Sequence, residues 1–247
     1  VLSRAEPLLR SFMAWRALVL SVDVRDHPTL PQTVVHLACR RPAEDGGGSA
    51  VLHVSGFRPW CYVPLPPRQP LARARDMREK LQERCPGAAL EVVRRRPLVG
   101  WTPAPRAYAR VTCATLRQLR QVAGLLRAGE LAPSGAARAR PCENNLAPAL
   151  QFCCARGVVR SGWVELAAGQ IAPSPAARRL TTADEEHAVS MAAVVPQPDC
   201  NDLAPLVFGS FDIEVYSHDG SFPQARRPRD AIIQIGVTLR AHGAAAA

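Results

Sequence analysis

Lysine is nearly missing from this chain. Of 31 basic residues only Lys80 is a lysine, set against 21 acids. The arginine excess, together with abundant Ala, Pro and Gly, reads as a GC-rich coding bias, so part of the formal net charge of +10 is compositional. The remainder favours a polyanionic partner, nucleic acid before an anionic membrane surface. Paired-cysteine spacing is missing too. Cys39, Cys61, Cys85, Cys113, Cys142, Cys153, Cys154 and Cys200 contain no C-x-x-C pair, which leaves a zinc ribbon or a redox dithiol unsupported. They read as small buried hydrophobes of a reducing compartment. The N-terminal apolar run is interrupted by Arg16 and Asp23 and has no small-residue cleavage site after it, so neither a secretory leader nor a membrane span is expected. The six histidines show no ligand spacing, and AEDGGGS lacks the order of a phosphate loop.

A chain of 247 residues with 47% hydrophobic content can build one large domain or two ordinary ones around a sizeable core. Alternation predicts strands at Trp15 to Val24, Val34 to Cys39 and Ala50 to Val54, the last two joined by a Gly- and Asp-rich hairpin loop. The prolines of SGFRPWCYVPLPP are expected to end that sheet pattern. Helical spacing follows at Leu71 to Cys85 and, more strongly, at Thr115 to Ala128, where Leu116, Leu119, Val122 and Leu126 share a face. Strands are expected at Leu90 to Val93 and Ala107 to Val111. Glu143 to Arg156 reads as a helix with Pro148 in its first turn and Gly157 as its stop, and VVRSGWVEL as a strand. Residues 167–204 look linker-like, so the predicted division is 1–200 as an N-terminal domain and 205–247 as the start of a second. The fold class is mixed α+β. The absence of an initial Met and the AHGAAAA ending suggest a fragment or truncated gene model.

The second unit opens with FGSFDIEVYS, in which Asp212 and Glu214 stand two apart. On a strand such residues project from one face, while Phe211, Ile213 and Val215 are expected to enter a core on the other. Adjacent carboxylates repel and are costly to hide unpaired. A shared hard cation, Mg²⁺ or Mn²⁺, resolves this, and such pairs can help hold two ions about 4 Å apart for phosphodiester hydrolysis. The pattern alone is weak, because composition predicts about two acid-x-acid pairs by chance.

The surrounding string is far more specific. Phe211, Asp212, Ile213, Glu214, Ser217, then Phe222-Pro223, then Asp230, Ile232, Ile233, Gln234 and Ile235 resemble the first exonuclease motif of the B-family DNA polymerases, and among them the delta-type catalytic subunits and their large-DNA-virus relatives. SGFRPWCYVP, LEVVRRRPLVGW, RVTCATLRQLRQVAGLL and ENNLAPALQFCCARGVVRSGWVEL resemble further segments of that family in order, with Cys153 and Cys154 replacing bulkier residues. The resemblance covers roughly Phe12 to Leu239. It implies a β-rich polymerase N-terminal domain followed by the start of a ribonuclease-H-like 3′–5′ exonuclease domain. It makes Asp212 and Glu214 metal ligands and catalytic residues, Glu214 also orienting the attacking water, with two Mg²⁺ (or Mn²⁺) ions in the complete site. The implied partners are DNA primer-template, deoxynucleoside triphosphates, and a sliding clamp or accessory subunits, with no membrane. The implied location is the nucleus or a viral replication compartment.

Later family motifs, N-x-x-x-F-D, Y-x-x-x-D and the palm D-T-D, do not occur after Glu214. The chain by itself is therefore expected to have neither exonuclease nor polymerase activity. The alternative is a non-catalytic nucleic-acid-binding product of a truncated polymerase gene. Arg94, Arg95 and Arg96 are candidate phosphate contacts or a solvated loop. Phe57, Trp60 and Tyr62 could stack on a base, or be buried against the sheet.

Overall fold

The computed structural model describes residues 15–97, 104–132, 139–166, 169–174 and 179–243. The N-terminal tail, Leu98 to Trp101 of the arginine-strand segment and the final alanines lie outside these. Seven strands form the main sheet: β1 (Trp15–Asp26), β2 (Thr33–Arg40), β3 (Ser49–Ser55), β7 (Trp163–Leu166), β8 (Ala172–Pro173), β9 (Glu185–Ser190) and β10 (Val195–Gln197). Their spatial order is β10-β7-β1-β2-β3-β9-β8, antiparallel except for the parallel pair β3 and β9. The sheet curls. Trp15 on β1 reaches across two intervening strands to β9, where its Nε1 donates to Glu185 Oε2 at 3.1 Å and its ring meets His187 edge-on. Alternation on β2 and β3 sends Val35, Leu37, Leu52 and Val54 into the enclosed core, with Phe57, Phe152 and Leu166.

A smaller three-stranded sheet has order β4-β6-β5: β4 (Trp60–Pro64), β5 (Ala89–Arg95) and β6 (Arg106–Thr112). Helices α1 (Pro70–Arg84) and α2 (Leu116–Ala128) cover one face through Met77, Leu81, Leu119, Val122 and Leu126. On the free side of β4, Tyr62 pairs with Cys142 in an antiparallel bridge. The unit thus runs β-α-β-β-α, and the single bridge at Cys142 is its only further pairing on that edge among the described residues. α2 forms as its pattern predicts. Thr115 Oγ1 accepts from Gln118 N at 3.0 Å, the Asp26 carboxylate accepts from Leu116 N and Arg117 N, and Gly129 closes the helix at φ 89°.

Four expectations are corrected. The prolines of SGFRPWCYVPLPP bracket a strand instead of ending the pattern: Pro59 precedes β4 and Pro64 is its last residue. The helix expected from Glu143 begins only at Pro148, as α3 (Pro148–Arg156), because the proline ring keeps Ala147 extended (ψ 126°). Gly157 does stop it, donating to Cys153 O. VVRSGWVEL is a strand only from Trp163. Before it, a turn pairs with the bulge of β1 through Ser161 N to Val19 O and Val19 N to Gly162 O. The stretch read as linker-like supplies β8, β9 and β10. These strands are too short to show periodicity, and the neighbours they pair with are distant in sequence. Of the eight cysteines, Cys39, Cys61, Cys85 and Cys113 are buried, whereas Cys142 and Cys154 are exposed. No helix among the described residues is long and apolar enough to cross a membrane.

Candidate active site

β11 (Leu206–Tyr216) and β12 (Ala231–His242) form a two-stranded antiparallel hairpin. Asp212 lies opposite Gly236 and Glu214 opposite Gln234. Directly opposed residues share a face, so one face carries both carboxylates, with Ser210, Thr238 and Gln234. Gly236 puts no side chain beside Asp212, which leaves room there for a ligand. The register slips between Glu214 and Val215, so Ile233 is an extra residue on β12 that bends the hairpin just beside the acids. The other face holds Phe211, Val237, Ile213 and Ile235. Phe211, Ile213 and Val215 were expected in a core, but here they stand in solvent, at 75%, 42% and 38% exposure, and Val237 is exposed beside them at 65%. Nothing in the described residues packs on them, because the hairpin meets the main sheet only at its base, where Ala204 and Leu206 join Leu18 and Trp163.

The turn is self-contained. Asp219 Oδ1 accepts from Ser217 Oγ at 2.8 Å, Ser221 N at 3.0 Å and Ser221 Oγ at 2.6 Å. These bonds, Ser221's hydroxyl first, hold the Asp219 carboxyl below its ordinary range. Asp230 Oδ2 accepts from Gln224 N at 2.9 Å, and His218 Nδ1 lies 3.6 Å from Asp230 Oδ1. Asp219, Asp230 and His218 therefore organise the turn.

Asp212 and Glu214 suit a hard divalent cation in donor type, common face and exposure. They are two ligands only. Among the described residues no group of three or more His, Cys, Asp or Glu side chains could hold a metal ion. Arg94, Arg95 and Arg96 lie at the far end of β5, in a different sheet; Arg94 NH2 donates to Pro105 O at 3.0 Å and Arg95 NH1 to Arg94 O at 3.3 Å. Of the aromatic candidates, Phe57 and Trp60 are buried and Tyr62 is half-buried.

A polar cluster escaped the sequence reading. Glu186 on β9 is buried, and its carboxylate accepts from Leu180 N, Thr181 N, Thr181 Oγ1 and His53 Nε2. Burial pushes its pKa up, but these hydrogen bonds, Thr181's hydroxyl first, outweigh it and hold the group at about 2. His53 Nδ1 in turn meets His36 Nδ1 at 2.8 Å, and burial, then His53, keeps His36 below its ordinary value. The only signal was two histidines on otherwise apolar strands. The cluster ties residues 180–181 to the sheet.

The comparisons accord with this geometry. Residues 141–247 match the family described as DNA polymerase family B, exonuclease domain. The DNA polymerase delta catalytic subunit of Bos taurus is 30% identical over 207 residues, covering 76% of this chain and 18% of that protein. The DNA polymerase of Acanthamoeba polyphaga mimivirus is 32% identical over 101 residues, covering 41% of this chain and 6% of that protein. In three dimensions the chain resembles the family B DNA polymerase from the hyperthermophilic archaeon Pyrobaculum calidifontis, with TM-score 0.60 and 19% identity over 92% of this chain and 26% of that one. The chain is a portion of a family B DNA polymerase, and it includes sequence of the exonuclease domain. It is homologous to delta catalytic subunits and to viral DNA polymerases, and spans less than a fifth of the length of the two curated relatives named.

Proposed function

We propose that this chain supplies the N-terminal domain (1–200) and the first acidic strand (205–247) of a replicative DNA-directed DNA polymerase that proofreads through a ribonuclease-H-like 3′–5′ exonuclease domain. The observation that carries the reading is the register of the hairpin: Asp212 and Glu214 share one face, with the bare backbone of Gly236 opposite Asp212. In this role the two carboxylates are metal ligands for Mg²⁺ or Mn²⁺, and Glu214 also orients water. Bound as a pair, such ions stabilise the attacking and leaving oxygens of phosphodiester hydrolysis. Asp212 and Glu214 contribute negative charge at fixed spacing, and the apolar face behind them is the surface on which the rest of that domain packs. Two ligands cannot hold both ions, so the 247-residue chain is inactive alone. The substrates of the whole protein are primer-template DNA and deoxynucleoside triphosphates, with a sliding clamp or accessory subunits as partners and the nucleus or a viral replication compartment as its location.

The test uses the polypeptide encoded through and beyond the codon for residue 247. With a mispaired primer end, Asp212→Ala and Glu214→Ala are expected to abolish trimming while primer extension continues. Unchanged trimming in both variants overturns the assignment.

A further inference from the structure

A row of polar residues crosses the outer face of the main sheet, away from the enclosed core. Alternation sends Val35, Leu37, Leu52 and Val54 inward, so His36 and His53, which lie between them, point outward. Register sets Asp23 on β1 directly opposite His36, and His36 directly opposite His53 on β3. Glu186 on β9 pairs with Val51, two residues before His53 and on the same face. Both histidines are half-buried.

The two rings meet through their Nδ1 atoms, 2.8 Å apart, with the ring planes at 81°. Glu186 decides which nitrogen carries the proton. It is buried and ionised, and an ionised carboxylate only accepts, so His53 Nε2, 3.1 Å away, carries a hydrogen. A neutral His53 then holds a lone pair on Nδ1, and His36 Nδ1–H donates to it. Burial, then the neighbouring ring, keeps His36 below its ordinary value, so it is neutral at pH 7. A ring with one nitrogen free and the other donating to a buried carboxylate is oriented as metal-binding histidines are.

We propose that His36 and His53 bind one Zn²⁺ ion through their Nδ1 atoms, with water in the remaining positions and Glu186 positioning His53. A tetrahedral ion about 2.0–2.1 Å from each nitrogen holds the pair roughly 3.3 Å apart, so the rings need to separate by about 0.5 Å. The His36 proton moves from Nδ1 to Nε2, which has no hydrogen-bond partner among the described residues, and no net proton is released. Imidazole favours a borderline ion of this kind over Mg²⁺. Asp23 supplies negative charge beside His36 but no ligand, since its oxygens face Arg25 Nε and Val24 N. With two protein ligands the site is weaker than a closed structural zinc site of four. Bound there, the ion fastens β2 to β3 and, through Glu186, to β9. The site lies in a different sheet from Asp212 and Glu214 and does not rest on the exonuclease reading.

The test is ¹⁵N NMR of the histidine rings in the 247-residue chain during titration with Zn²⁺, with Cys142→Ser and Cys154→Ser removing the exposed thiols as competing ligands. The Nδ1 resonances of His36 and His53 are expected to shift together along one saturation curve, before those of the other four histidines. Mg²⁺ is expected to shift neither. His36→Gln and His53→Gln are each expected to remove the shift of the remaining ring. Glu186→Gln is expected to weaken binding about 10–100-fold, with both rings still shifting at higher Zn²⁺. Circular dichroism confirms that each variant is folded, and the titration with both histidines in place decides the matter without them. No joint shift at millimolar Zn²⁺, or a shift that persists in one ring after loss of the other, overturns the proposal and leaves the pair as an N–H···N hydrogen bond within the sheet.

Discussion

β2 and β11 are written in the same alternating code and meet opposite fates. On β2, Val35 and Leu37 are sealed from water. On β11, Phe211 is 75% exposed and Ile213 42%. The difference lies not in the strands but in what stands over them: β2 faces a closed core to which α3 contributes Phe152, whereas β11 has only β12. An isolated hairpin is marginal in water, and each large apolar side chain left outside forgoes about 1.5–3 kcal/mol. Alternation therefore says which face is apolar and nothing about what will cover it. The sharpest way to break this comparison is to remove one ring from each region. Phe152→Ala is expected to cost about 3–5 kcal/mol, and Phe211→Ala less than about 0.5 kcal/mol, by urea unfolding followed through tryptophan fluorescence. Equal costs would mean that the hairpin is packed in solution.

The next effect concerns charge buried in the sheet. Glu186→Gln removes the charge and replaces one of the two oxygens on which four donors converge with an NH2 that faces donors, and is expected to cost about 1.5–3 kcal/mol. Acid should reproduce part of this loss. The folded Glu186 sits at about 2, below its ordinary 4.5, so its contribution is complete above about pH 4.5 and drains away as pH falls toward 2. His36 acts in the same direction at higher pH. Its folded value lies below the ordinary 6.5, so the unfolded chain binds the proton first and stability falls as pH drops below 6.5. Acid titration of the unfolding free energy should therefore decline in two stages, the lower of which is diminished but not abolished in Glu186→Gln, since Glu44, Asp184, Glu185 and Asp219 are also held below their ordinary range. A lower stage of unchanged size in that variant would assign it wholly to these other acids.

A smaller effect tests a local signal. Thr115→Ala removes the cap of α2 and is expected to cost about 1 kcal/mol, with Thr115→Ser close to neutral; thermal unfolding distinguishes them. That helix was legible because Leu119, Val122 and Leu126 repeat on one face and cap residues bound it. The strands β1, β2, β3, β5 and β6 were legible from alternation. β9 and β10 were not: their partners β3 and β7 are set by the curl of the sheet, and a three-residue strand ending in Pro-Gln has no period to read. At the site, the pairing of Asp212 with Glu214 on one face followed from two-residue spacing alone. Gly236 opposite Asp212 and the extra Ile233 did not, because register is a property of two strands. Nor could the sequence indicate that Arg95 and Arg106, 11 residues apart in sequence, face one another.

The smallest expected change is the most informative about the acid pair. Both carboxylates lie on the exposed strand β11, and among the described residues Asp212 accepts only from the adjacent Ile213 N at 2.9 Å. Asp212→Asn combined with Glu214→Gln should therefore shift the stability of this chain by less than about 0.5 kcal/mol. A fold that had recruited the acids for its own stability would lose much more. Near-neutrality leaves mutual repulsion as their main local effect, and millimolar Mg²⁺ should then change the thermal midpoint of the native chain and of the double variant alike, since two ligands bind too weakly to register. In the longer polypeptide the two should diverge, the native sequence gaining stability with Mn²⁺ and the double variant gaining none. Mn²⁺ stabilisation of equal size in both would remove Asp212 and Glu214 from the metal site and return the hairpin to a purely structural role.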